Sequence, residues 1–178
     1  MEISLRQAAK SDLPAILSLY GQLGQDDGAI LDRQEAGHIW EKMRTYPDYR
    51  LYVALADGRV VGTFALLIMD NIAHCGARSA VLEDVVVEEG MRGRGVGRQM
   101  MHYAGSLCRE KGCYKMTLSS NRHRESAHRF YESLGFALHG YSFSITVADA
   151  EIPAVPTVPE MQEISEIITD KVERYECC

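Results

Sequence analysis

The spacing of apolar and polar residues predicts a strand, a helix, a loop and a second helix in the first 45 residues. Residues 2–8 alternate as in a short strand, and the following "SDLPAILSLYGQL" has helical spacing. Ser11 is the expected N-cap of that helix, with Pro14 in its first turn. Three glycines and three aspartates make residues 21–32 a predicted loop, and a second helix is expected over 32–45.

The middle and later parts of the chain predict strands that alternate with helices. Two apolar runs within 49–70 meet at Asp57-Gly58, a dipeptide typical of tight β-hairpins. Further elements are expected as strand 79–87, helix 96–111, strand 113–120, helix 126–134 and a last strand 137–147. This order predicts an α/β (α+β) fold in which a mixed sheet is flanked by helices.

The C-terminal part differs in composition from the rest. "EIPAVPTVPE" is rich in proline and is expected to be extended, and the residues after it carry an apolar stripe at helical spacing. We therefore divide the chain into a domain over 1–148 and, over 149–178, a proline-rich linker with an amphipathic helix. That helix either docks on its own domain or forms an arm of a homodimer.

Composition and charge narrow the class of protein. The chain has 178 residues, 46% of them hydrophobic, and a net charge of −6, which argues against a nucleic-acid or membrane-surface binder. Its five cysteines form no C-x-x-C pair and no zinc-like spacing, so we expect reduced thiols and no metal. Neither a signal-peptide core nor a long apolar window occurs, which favours a cytoplasmic location without a membrane span.

The segment "MRGRGVGR" (91–98) lies between an apolar strand and an amphipathic helix. The start of a helix presents unpaired N–H groups and partial positive charge, and glycines let a diphosphate approach them closely. Arg92, Arg94 and Arg98 add positive charge. The segment matches neither the nucleotide-binding P-loop nor the dinucleotide-binding G-x-G-x-x-G pattern.

Two motifs resemble those of a known family. The spacing Arg92-x-x-Gly95-x-Gly97 resembles the R/Q-x-x-G-x-G/A loop of the GNAT superfamily of acetyl-CoA-dependent N-acetyltransferases, and "RFYESLGF" (129–136) resembles its second motif. The resemblance covers roughly 2–147, and "LEDVVV" and "GCYKMTL" are similar to glucosamine-6-phosphate N-acetyltransferases. It implies a mostly antiparallel sheet that splays between its fourth and fifth strands. It also implies that the coenzyme pyrophosphate binds at Arg92, Gly93, Arg94, Gly95, Val96, Gly97 and Arg98.

The resemblance also implies roles for single residues. The main chain of Val85, Val86 and Val87 would line the pantetheine arm of acetyl-CoA, and Tyr131 would be the acid that protonates the leaving thiolate. Many members carry an asparagine seven residues before that tyrosine, where this chain has Arg124. Asn121 is the nearest asparagine and therefore the candidate coenzyme contact, or else a turn residue at the helix start.

Two adjacent carboxylates interrupt the apolar strand 79–87. Strand alternation predicts that Glu83 and Asp84 point to opposite faces, so at least one should be partly buried with a raised pKa. Family members often carry a glutamate on this strand, which makes Glu83 our candidate base. Asp84 or a water relay is the alternative, and either carboxylate could instead order the strand.

The expected reaction is transfer of an acetyl group from acetyl-CoA to a primary amine, by direct attack in a ternary complex. A small molecule is the first choice of acceptor; a peptide amine, or a non-catalytic acyl-CoA-binding module, is the alternative. Asp26, Asp27 and Asp32 favour a cationic acceptor, whereas the arginines after Asn121 favour an anionic one. The sequence leaves this choice open.

Overall fold

The computed structural model describes residues 1–23 and 29–144, and Met1–His139 form one compact unit. In the described residues of that unit, five strands and four α-helices follow one another. Their bounds are β1 Ile3–Gln7, α1 Leu13–Tyr20, α2 Arg33–Met43, β2 Tyr49–Ala56, β3 Arg59–Met69, β4 Arg78–Val87, α3 Val96–Glu110, β5 Cys113–Leu118 and α4 Glu125–Glu132. The proposed tail 149–178 and the aspartates at 26 and 27 lie outside the described residues.

The strands form one sheet in the order β1-β2-β3-β4-β5. Each pair is antiparallel except β4 and β5, which run parallel and are connected through α3. The predicted mixed, mostly antiparallel sheet is therefore confirmed. The hairpin at Asp57-Gly58 is confirmed as well, because both residues have positive φ angles (49° and 80°), as its tight turn requires.

Each face of the sheet has its own apolar core. On one face, Ile16 of α1 and Trp40 of α2 pack against Val53 and Ala65 of the central strands. On the other face, Phe64 and the inner side of α3 form a larger cluster that includes Met100. Because β3 contributes to both clusters, its inner residues are almost fully buried, and the two helical layers are held at fixed places on the sheet.

Two local predictions from the sequence were wrong. Ser11 does not cap the first helix, since Lys10–Asp12 form a 3₁₀ turn before it. Asp12 stands at the N-cap position of α1, but its side chain makes no bond to that helix. Its carboxylate instead accepts the Ala9 N–H at 2.7 Å and binds the Arg6 guanidinium at 2.6 and 2.9 Å, which closes the 3₁₀ turn. The strand expected over 137–147 is also not found in its described part, because residues 137–144 have no regular structure.

Candidate active site

The fourth strand contains a β-bulge at its centre. Val86 lies opposite Thr63 and Glu83 lies opposite Ala65, so two residues of β4 share the single position opposite Phe64. Asp84, one of the two, has a φ of 50°, a left-handed conformation that aspartate and asparagine adopt more readily than most residues. One additional residue therefore changes the direction of β4 halfway along its length.

Beyond the bulge, β4 and β5 separate. Their parallel pairing ends at Leu82 and Leu118, whereas β4 continues to Val87. The Glu88 N–H donates to the Val61 carbonyl at 2.9 Å, and strand alternation then turns the main chain of Val86 toward β3. The N–H and C=O groups of Val85 and Val87 consequently face the gap between the two strands. The splay predicted between the fourth and fifth strands is confirmed.

The glycine-rich segment connects β4 to α3 at this gap. Gly93 and Gly95 have φ angles of 74° and 85°, and no other atoms lie within 4 Å of where a Cβ would be at either position. Gly97 has a different role, since a Cβ there would lie 3.1 Å from the Phe130 ring and 3.7 Å from the Val87 side chain. The loop therefore uses two glycines for an open left-handed backbone and one for close packing of α3 on α4.

The same segment presents a row of unpaired main-chain donors. The first helical bond of α3 runs from the Gln99 N–H to the Gly95 carbonyl at 3.1 Å. Among the described residues, none accepts a hydrogen bond from the N–H groups of Gly93 through Arg98. These six consecutive donors lie where the helix dipole is positive, which makes the loop suited to a diphosphate.

The three arginines of the loop are placed differently. The Arg92 Nε donates to the Val87 carbonyl at 3.2 Å and so fastens the loop to the end of β4. Arg94 and Arg98 are both exposed and make no ion pair with any residue of the described segments. Their charges therefore remain available to an anion outside the loop.

Tyr131 lies on α4, next to Phe130, whose ring packs against Gly97 in the first turn of α3. Its ring is half-buried between Phe130 and Phe136, at centroid distances of 5.2 and 5.6 Å. Burial raises the pKa of Tyr131, and the nearby Arg124 offsets part of that rise. The phenol therefore keeps its proton at neutral pH, as an acid group must.

The two carboxylates of β4 do not point to opposite faces, so that prediction was wrong. Glu83 pairs across the strand with Ala65, which belongs to the core on the α1 and α2 side of the sheet. Asp84 faces the same side, because the bulge breaks the alternation of β4 at this point. Burial raises the pKa of both carboxyl groups, and the charge of Asp84 adds to the rise at Glu83.

A cavity of about 300 Å³ lies on that side, between α1, α2 and the sheet. Its described lining is aliphatic or aromatic, with Asp84 as the charged member, and it includes Tyr20, Ile39, Trp40 and Tyr49. The Tyr20 hydroxyl oxygen is shielded from solvent and has no hydrogen-bond partner within the described residues. Asp84 thus belongs both to the bulge and to the cavity wall.

The residues around the start of α4 form a turn. The Asn121 side-chain oxygen accepts the His123 N–H at 3.0 Å, and the Asn121 carbonyl accepts the Arg124 N–H at 2.9 Å. The His128 Nε2 lies 3.0 Å from the same carbonyl. Asn121 therefore shapes this turn, and its oxygen is already committed. Asp32 is similarly engaged, since its carboxylate caps α2.

Tyr49 is the member of this site that the sequence did not single out. It begins β2, and burial together with the charges of Asp84 and Glu83 raises the pKa of its hydroxyl. No local signal marked Tyr49, because its nearness to the two carboxylates depends on the order of the strands in the sheet. Within residues 1–23 and 29–144, no helix is long and apolar enough to cross a membrane, and no group of three metal-binding side chains comes together.

Known proteins resemble this chain over most of its length. The model of the acetyltransferase (GNAT) family matches residues 15–136. Glucosamine 6-phosphate N-acetyltransferase of Trypanosoma brucei brucei is 32% identical over 140 residues, which cover 78% of this chain and 92% of that protein. Aminoalkylphosphonate N-acetyltransferase of Salmonella typhimurium is 29% identical over 79% of this chain and 88% of that protein.

Solved structures share the same architecture. A putative acetyltransferase from Agrobacterium tumefaciens is 38% identical and superimposes with a TM-score of 0.76, covering 80% of this chain and 99% of that one. Glucosamine-6-phosphate N-acetyltransferase from Arabidopsis thaliana superimposes with a TM-score of 0.73 at 23% identity, over 83% of this chain and 99% of that one. At that identity, the second comparison speaks for the fold alone.

Proposed function

The chain belongs to the GNAT family of acetyltransferases, which use acetyl-CoA, and we propose that it acetylates a primary amine of a small molecule. The family that the glycine-rich motif and the aromatic motif predicted is confirmed. The observation that carries the proposal is the set of free N–H groups from Gly93 to Arg98, which lies directly after the gap between β4 and β5.

The loop and the gap supply a binding site of the right kind for the coenzyme. The N–H groups of Gly93, Gly95, Val96 and Gly97 would donate hydrogen bonds to the pyrophosphate. The guanidinium groups of Arg94 and Arg98 would pair with the negative charge on its outer side. The main chain of Val85 and Val87 would pair with the amide groups of the pantetheine arm. Val86 would contribute through its buried side chain, and the oxygen of Asn121 would act only through the turn it shapes.

Bound acetyl-CoA supplies an activated thioester, and the chain supplies the groups that direct the reaction. A main-chain N–H of β4 would polarise the thioester carbonyl. Glu83, whose raised pKa suits a base, would take one proton from the bound ammonium group and release it to solvent. The neutral amine would then form the C–N bond while the C–S bond breaks, and Tyr131 would donate its proton to the departing sulfur. The second proton of the nitrogen would restore the Tyr131 phenol through solvent.

A small-molecule acceptor is favoured over a peptide by the shape of the site. The cavity beside Asp84 is bounded by two helices and the sheet, whereas a peptide needs an open groove. A non-catalytic acyl-CoA-binding module would have no use for the carboxylates of raised pKa at the bulge. The shape of the cavity favours a small-molecule acceptor, and the raised pKa values of the carboxylates favour an enzyme over a binding module.

Assembly and location are part of the proposal. Within the described residues, β5 pairs only with β4, so its outer edge is available to a second copy and supports a homodimer. Cys75, Cys108 and Cys113 are free thiols, which supports a reducing, cytoplasmic location without a metal.

The homodimer is tested by light scattering after size-exclusion chromatography, which gives the mass of the particle. A monomer would refute the dimer proposal.

The test of the reaction has two parts. Thermal unfolding with and without acetyl-CoA measures coenzyme binding, because a ligand at 100 times its dissociation constant stabilises a fold by about 2.7 kcal/mol. Release of free thiol across a panel of amines then measures transfer. A rise in melting temperature together with thiol release is the expected result. An unchanged melting temperature would refute the proposed coenzyme site. Acetyl-CoA binding without thiol release for every amine would refute the transferase and support the non-catalytic acyl-CoA-binding module.

A further inference from the structure

The lining of the cavity between α1 and α2 indicates a different kind of acceptor from those for which the relatives of this chain are named. Two of those relatives are named for amines that bear a phosphate or a phosphonate. A site for such an amine needs a cation, usually arginine or lysine, for the anionic group. The described lining of this cavity holds no arginine, lysine or histidine.

The lining instead favours an apolar group. Ile39 and Met43 of α2 and Leu13 and Leu17 of α1 face the cavity, and the Trp40 ring closes one side of it. Burial of apolar surface is worth about 25 cal/mol per Å², so an apolar ligand gains affinity here without a specific partner. A phosphate in the same place would lose its hydration and meet hydrocarbon, a carboxylate and two tyrosine hydroxyls, with no cation in the described lining.

Asp84 is the one charged residue in the described lining of the cavity, and it lies at the end nearest the gap. Desolvation raises the pKa of this carboxyl group, which means that its ionised form lacks a compensating partner in the protein. An ammonium group beside it would supply that partner and favour the carboxylate. The amine nitrogen would then lie at the bulge, next to the thioester site proposed above, with Glu83 as its neighbour.

We propose that the acceptor is a primary amine with an uncharged apolar substituent, which fills the cavity while its ammonium group pairs with Asp84. This inference rests on the proposed transferase function for its placement of the coenzyme. It assigns Asp84 and Ile39 as residues that determine specificity. This acceptor class also distinguishes the chain from enzymes that bind a phosphorylated amine.

Trp40 allows binding to be measured without catalysis. It is the one tryptophan of the 178-residue chain and it lines the cavity, so its fluorescence reports directly on an occupant. The experiment titrates the full chain, in the presence of CoA, with 2-phenylethylamine, 2-phenylethanol and glucosamine 6-phosphate. We expect saturable binding of 2-phenylethylamine, at least tenfold weaker binding of the alcohol, and no response to the sugar phosphate.

Three variants connect the signal to the named residues. Asp84→Asn keeps a side chain that tolerates the left-handed backbone and removes only the charge, so it should bind the amine and the alcohol alike. Ile39→Ala shortens a wall residue that is 40% exposed and should weaken the amine severalfold without unfolding the protein. Ile72→Ala is the matched control, because Ile72 is fully exposed and lies outside the cavity.

The outcomes separate this inference from the function on which it rests. Stronger binding of glucosamine 6-phosphate than of the amine, or amine binding that ignores both Asp84→Asn and Ile39→Ala, overturns the inference. Absence of any response to 2-phenylethylamine overturns it too. Thiol release with the sugar phosphate alone would keep the transferase and reject the apolar acceptor. Saturable amine binding without thiol release would keep the cavity assignment and reject the transferase.

Discussion

Replacement of Gly95 by alanine isolates the energetic cost of the left-handed loop. Gly95 has a φ of 85° and precedes the first residue of α3, and nothing else lies within 4 Å of the position that a new Cβ would take. Steric overlap with neighbours therefore contributes little. The change measures backbone strain, which is about 1–2 kcal/mol for an L-residue in this conformation.

The expected size can be compared with the effect of the coenzyme. A loss of about 1 kcal/mol lowers the melting temperature of a chain of this length by roughly 2–4 °C. Acetyl-CoA at 100 times its dissociation constant raises the unfolding free energy by about 2.7 kcal/mol, or roughly 5–10 °C on the same scale. A strained loop aims its N–H groups less well, so Gly95→Ala should lower both the basal melting temperature and the coenzyme-induced rise.

Gly90→Ala is the control for this prediction. Gly90 lies in the 3₁₀ turn just before the loop, has no positive φ angle, and is equally free of neighbours. Alanine there should leave stability unchanged or raise it slightly, by less than about 1 kcal/mol, through a stiffer unfolded chain. Differential scanning fluorimetry with a series of acetyl-CoA concentrations measures both variants. Equal behaviour of the two would refute the role that we assign to the conformation of Gly95.

Three further variants test the proton-transfer groups and the first turn of the fold. Tyr131→Phe should fold normally and lose roughly 10²–10⁴-fold in turnover, measured by thiol release, because the leaving sulfur loses its acid. Glu83→Gln should remove the rise in kcat/KM with increasing pH. Since the folded pKa of Glu83 is raised, the wild type should lose more stability than the variant as pH rises through that range, and the raised pKa of Asp84 accounts for the loss that the variant keeps. Asp12→Asn should lower the unfolding free energy in urea by roughly 1–3 kcal/mol at neutral pH, because Arg6 and the Ala9 N–H lose a charged acceptor. Since Arg6 holds the pKa of Asp12 below its usual value, that difference should shrink as pH falls through the folded pKa.

Matched changes serve as controls for the two proton-transfer variants. Tyr114→Phe removes a hydroxyl from an exposed ring, and Glu110→Gln removes a charge from the exposed end of α3. Neither should alter turnover or its pH dependence. Full activity of Tyr131→Phe, an unchanged pH profile in Glu83→Gln, or undiminished urea stability in Asp12→Asn would each contradict the role assigned to that residue.

Elements with a strong local signal could be predicted from the sequence. The hairpin at Asp57-Gly58 follows from two residues that tolerate positive φ, and the loop before α3 follows from Gly93, Gly95 and Gly97. Such signals reside in the residues themselves. Packing of distant segments only has to be compatible with them, so the structure retains them.

Features that depend on counting across strands could not be predicted in the same way. Alternation placed Glu83 and Asp84 on opposite faces, and only the register against Thr63 and Ala65 reveals the additional residue. The cavity is invisible to local patterns because α1, α2 and β4 are far apart in sequence. Ser11 failed as a cap because Asp12 can bind both the Ala9 N–H and Arg6, an interaction that involves β1.

The second half of β4 contains a blind spot for side-chain scanning. Val85 and Val87 face the gap with N–H and C=O groups that every amino acid except proline possesses. Replacement by alanine or isoleucine leaves those groups in place, so a conventional alanine scan would report only on the packing of the two side chains against the core. Chemical editing of the backbone, such as an amide-to-ester exchange at one of these residues, deletes a single donor and keeps the side chain. In this strand, the side chains can be replaced while the main-chain groups proposed to bind the coenzyme stay the same.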